Sequence, residues 1–184
     1  MGNISFLTGG NGTSIQSVPE SIYQLENSSV IFVSAWQRTP PDFRRAARAS
    51  EEAMAHLDHI VNEILRARDH AKSDGSYSGS QLETELNINV ALLSSPVNRG
   101  QQVALAQAGP GNGVLPSAGN PLSMEKLLNK IKHRRHDYSN FRIDASGGHV
   151  FMIAVDKPNQ QPDSIVEFPV QGFCDHCSVI AQLL

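Results

Sequence analysis

No apolar run in the 184-residue sequence approaches the roughly 18–20 residues that span a bilayer, so the chain offers no candidate membrane-crossing helix. Its start lacks the basic-then-apolar order of a secretory signal peptide. Charge of one sign is also lacking. Lys and Arg number 15 against 18 Asp and Glu, for a net charge of −3 and a pI of about 6.1. That balance argues against nucleic-acid binding through bulk electrostatics. Aromatic residues make up only 6% of the chain, yet the hydrophobic content of 40% suffices for a core.

Cysteine is scarce as well. The two residues, Cys174 and Cys177, stand in the order C-D-H-C. No second pair completes a zinc site, and no thioredoxin-like strand and helix precede the motif. Two reduced thiols in an intracellular protein is the ordinary reading.

The length fits one domain. Residues 1–29 are rich in Gly, Asn, Ser and Thr without a sustained period, which predicts disorder. M-G-N-I-S-F raises lipidation at Gly2, although the myristoylation pattern wants Ser or Thr where Phe6 stands; an ordinary flexible terminus is the other reading. Ser29–Ala35 reads as a short strand. Pro40 and Pro41 open a long helix reaching to about Lys72, with Met54, Leu57, Val61, Ile64 and Leu65 on one stripe. His56, His59 and His70 lie on it, and no third ligand at metal spacing follows. Residues 73–80 form a loop, and Leu82–Leu93 fits either helix or strand. Residues 94–121 are a flexible Pro/Gly/Ala/Gln connector. GPGNG within it lacks the G-K-[ST] ending of a phosphate loop.

A helix capped by Ser123 runs from Met124 to about Arg134, and the basic K-H-R-R-H at its end complements the helix dipole. Runs 140–144, 149–155 and 164–168 follow as strands of an antiparallel meander. The last run, 178–184, is helix-compatible.

In S-G-G-H-V-F-M-I-A-V-D, His149 stands at the entrance of a core strand. A histidine there serves as a general base when a carboxylate fixes its tautomer. Glu167, one strand and one turn later, reaches it only if the pairing register is offset. A thiol beside such a pair becomes a nucleophile. The alternative is a structural histidine at a strand start.

With these residues in view, the chain from about His59 to Leu184 resembles the YopJ-like type III secretion effectors, including the HopZ-like effectors of plant pathogens. N-F-R-I-D-A-S-G-G-H-V is similar to the segment leading into that family's catalytic histidine. S-I-V-E-F-P-V is similar to the strand that supplies its acid. K-S-D-G-S-Y-S-G-S is similar to its Asp-Gly-Ser turn before a helix.

The resemblance implies an α/β (α+β) fold with a cysteine-protease-like core: a short antiparallel sheet flanked by helices. It implies a secretion or targeting segment over residues 1–29 and one domain over residues 30–184, incomplete at its C-terminus. It implies acetyl transfer to Ser, Thr or Lys of host signalling proteins, kinases or immune-related proteins, through a cysteine thioester formed from acetyl-CoA. Inositol hexakisphosphate is the implied activator, and no metal is implied. His149 takes the base, Glu167 the acid and Cys177 the nucleophile. The protein would be secreted into host cytoplasm, with a type III chaperone as a further partner and plasma-membrane association through Gly2.

Two departures stand out. The family's nucleophile lies several dozen residues beyond the acid, where this chain has already ended, and E-F-P replaces E-P. Three readings follow: an acetyltransferase weak or inactive in this short form, a non-catalytic effector that binds host proteins, and a small α/β interaction protein unrelated to the family.

Overall fold

The computed structural model describes residues 17–184. The first helix, α1 (Val18–Trp36), covers residues for which both disorder and a strand were expected. Ser17 caps it, its side chain accepting from the Glu20 backbone N–H at 3.3 Å, and Pro19 sits in the first turn. The β-branched run Val30, Ile31 and Val33 favours a strand locally. Burial decides otherwise: Ile22, Leu25, Ser28, Ser29, Phe32 and Ala35 recur at helical spacing and are all buried. Gly2 lies outside the described residues.

Helix α2 (Phe43–Asp74) begins after the two prolines, with Asp42 as its cap, and ends on Gly75 at φ 80°. The ambiguous stretch divides into α3 (Gln81–Leu86) and strand β1 (Asn89–Ser94). The expected connector contains helix α4 (Arg99–Gln107). Asn98 and Gln101 form a reciprocal capping box there, each side chain accepting from the other's backbone N–H at 2.9 Å. Strand β2 (Asn120–Ser123) leads directly into α5 (Met124–Lys132).

Helix α5 stops two residues before Arg134. Arg134 and Arg135 open strand β3 (Arg134–Ile143) and act as ion-pair partners. Arg134 grips Asp58 with two bonds, at 2.6 and 2.9 Å, and Arg135 holds Asp137 and Asp156. Strands β4 (His149–Lys157) and β5 (Gln161–Pro169) follow, joined by the tight turn Pro158–Gln160. Helix α6 (Val170–Ala181) closes the described chain.

The fold is therefore mixed α/β. The five strands form one antiparallel sheet in the order β2-β1-β5-β4-β3, with β3, β4 and β5 as a meander. On one face, Ile153, Val155, Val166 and Phe168 join the main core with α1, α2, α5 and α6. On the other, Val150, Met152, Ala154 and Ile165 pack beneath Val97 and Leu105 of the α4 region. Successive residues of a strand point to opposite faces, and directly paired residues share one. That rule fixes where each candidate residue points.

Candidate functional site

His149 pairs with Ile143 across β3 and shares a face with Phe151 and Ile153, the face under α1. Its ring lies parallel to Phe32 of α1, with centroids 4.9 Å apart and 13° between planes. Phe141 meets it edge-on at 5.7 Å. The ring nitrogen Nδ1 is 2.9 Å from the Ser29 Oγ, and the ring's tautomer decides which of the two donates. Burial disfavours the imidazolium and pushes the pKa from 6.5 down to about 4. Near neutral pH the imidazole is uncharged.

The glycine pair before His149 serves the turn that mounts it. Asp144 Oδ1 accepts from the Ser146 and Gly148 backbone N–H groups at 2.9 and 2.8 Å, and from the Ser146 hydroxyl at 2.6 Å. These bonds hold the Asp144 carboxyl below its ordinary pKa. Gly147 adopts φ 85°, and a Cβ on Gly148 would come within 2.7 Å of Asp144 Oδ2. The side-chain space vacated at Gly148 is filled by this aspartate, while Gly147 answers the positive φ of the turn.

Glu167 does not join His149. It pairs with Met152 on β4 and with Leu92 on β1, so it faces away from α1. Its oxygens accept two bonds from the Arg142 guanidinium, at 2.5 and 3.1 Å. Arg142 pairs with Val150 and so shares that far face. The carboxylate also raises the pKa of the arginine through these bonds. The acid and the base of the expected dyad thus lie on opposite sides of the sheet. Phe168, next in the chain, is the residue that β5 turns toward the histidine's side, and both line one small cavity.

The thiols are sealed. Cys177 is fully buried and Cys174 is 1% exposed, both within the core that contains Leu25, Phe173 and Ile180. Burial pushes Cys174 up to about 12 and Cys177 well above its ordinary value. A buried thiol held protonated is a poor nucleophile. The structure therefore gathers none of the three expected catalytic groups into one site: His149 meets a serine, Glu167 an arginine and Cys177 the core.

Sequence reasoning missed Ser29 and Arg142, the two residues that answer His149 and Glu167. Ser29 had a signal: the S-V-P-E start of α1, Ser at the cap and Glu three residues on, marks a helix and would have placed Ser29 on its inner face. Arg142 had none: Glu167 stands an even 18 residues from His149, yet β4 and β5 pair residues of opposite parity, such as Met152 with Glu167, and only the register reveals that.

Among the described residues, no cluster of three or more His, Cys, Asp or Glu side chains is placed to hold a metal ion, and no helix is long and apolar enough to cross a membrane. Comparison with protein-family models, with curated proteins and with solved structures returns no match, so the character of this site rests on its own geometry.

Proposed function

We propose that the protein is a non-catalytic effector of the type its sequence resembles, one that binds host signalling proteins without turning over a substrate. One observation supports this reading: His149 and Glu167 occupy opposite faces of the sheet while Cys177 is buried in the core. A Cys-dependent transferase needs its base within hydrogen-bond reach of both the thiolate and the orienting acid. The cysteine-protease-like core is part of the same resemblance, and on this reading it is kept as a scaffold. Acetyl-CoA and inositol hexakisphosphate then have no catalytic centre to serve.

Labelled acetyl-CoA tests the reading. The full chain, incubated with inositol hexakisphosphate and a panel of host kinases, is expected to leave acetyl neither on itself nor on any kinase. It is also expected to retain at least one kinase in a binding assay, and His149→Ala is expected to bind that kinase equally well. Acetyl transfer that disappears in His149→Ala would establish the enzyme reading instead. Failure to bind any kinase of the panel would remove the host-signalling role.

A further inference from the structure

Two cavities meet at Ser29 and His149. The inner one, about 60 Å³, is walled by rings and aliphatic chains, among them Phe32, Phe141, Phe168 and Met54. The outer one, about 660 Å³, is a groove along α1 whose lining includes Ser34, Arg38, Gly147 and Gln171. Ser29 and His149 are the two residues common to both linings. A largely apolar hole with a few convergent polar groups at its mouth is the usual form of a small-ligand site.

The size and the charge narrow the ligand. At about 30 Å³ for each water-sized group, the inner hole takes a short tail of roughly two or three non-hydrogen atoms. Its walls carry no formal charge, so the tail is aliphatic. The mouth offers the Ser29 hydroxyl and the His149 imidazole, and the groove beyond adds Gln171, whose amide nitrogen donates to Asp175. Arg38 is the one ionised residue lining either cavity at neutral pH. Its side chain is 60% exposed, with the guanidinium 3.6 Å from the Asp42 carboxylate. An exposed pair of that kind contributes little and yields readily to a competing carboxylate.

We infer that Ser29 and His149 form the mouth of a binding site for short aliphatic monocarboxylates, with the tail in the ring-lined hole and the carboxylate in the groove that Arg38 lines. The site is independent of the protein-binding reading, since it requires neither a host partner nor its absence.

An NMR titration of the full chain with acetate, propionate, butyrate and hexanoate at constant ionic strength tests the site. Affinity is expected to rise about fourfold per added methylene from acetate to butyrate, and to fall at hexanoate, which overfills the hole. Saturating shifts are expected at Ser29, Phe32 and His149. Ala53 lines the hole, so Ala53→Leu fills it and is expected to weaken butyrate about tenfold or more while sparing acetate. Arg38→Gln, on the exposed rim, is expected to weaken all of the acids severalfold. If Ala53→Leu fails to fold, the chain-length series and the Arg38 variant decide alone. Affinity that is flat across chain length, or butyrate binding that is unchanged in Arg38→Gln, overturns the inference.

Discussion

Truncating Phe168 to alanine is expected to cost about 3–5 kcal/mol of folding stability, the range for emptying a buried aromatic site. The ring is 1% exposed, and it packs 5.8 Å from Phe151 and 5.4 Å from Phe173, centroid to centroid. It joins β4, β5 and the first turn of α6, so no single neighbour can collapse into the space it leaves. Urea unfolding measures the effect as a lower midpoint at unchanged slope. A loss below about 1 kcal/mol would place the ring elsewhere and reverse the register of β5. The point bears on function. The E-F-P order offers both Glu167 and Phe168 to the histidine's face, and only one parity is compatible with the sheet.

The second large effect is on pH dependence. The unfolded chain binds a proton at His149 near 6.5, while the folded chain binds it only near pH 4. Between those values the unfolded state holds more protons, so stability falls as pH falls from 6.5 toward 4. At about 1.4 kcal/mol per tenfold change in proton affinity, the loss reaches at most about 3–4 kcal/mol. Above 6.5 the contribution is complete, and below 4 it changes no further. The carboxyls of Asp74, Asp144 and Asp156 are held below their ordinary value of 3.8, so their own losses come at lower pH. Unfolding midpoints at pH 7, 5.5 and 4.5 are expected to decline in the natural chain and to flatten in His149→Phe, which keeps a ring against Phe32. Equal slopes for the two proteins would show that His149 is accessible to protons in the fold.

Much of the scaffold is legible in the sequence. The helix expected from Asp42 to about Lys72 differs from the observed Phe43–Asp74 by a residue or two at each end, because Leu57, Val61, Ile64 and Leu65 repeat at helical spacing and are buried. The three strands ending in E-F-P read as a meander for an equally local reason: their alternation and the turns between them. The failures have physical causes too. The run from Ser29 to Ala35 is β-prone residue by residue, and only its packing on α2 and the sheet makes it helical. Asn98 and Gln101 announced α4, but the glycines and prolines around them masked the signal.

The site itself was legible only in part. His149 at the head of a core strand stood out because its mount, the Asp144–Gly148 turn, is local, whereas its burial comes from Phe32 and Ser29 of α1. Its partner was not legible, because that depended on α1 being a helix and on which way β5 faces. Glu167 was attractive by sequence distance, yet a one-residue difference in parity puts it across the sheet with Arg142. Cys177 was attractive by its acidic neighbour Asp175, while helical geometry turns the thiol inward to full burial.

The central claim is that His149 is a neutral imidazole bonded to Ser29 and uncoupled from Glu167. Titration of its ring resonances by NMR, in the natural chain and in Glu167→Gln, measures this directly. The expected result is a midpoint near pH 4 that is the same in both proteins. A midpoint at or above 6.5 that falls in Glu167→Gln would show a carboxylate supporting the imidazolium, and would contradict the account.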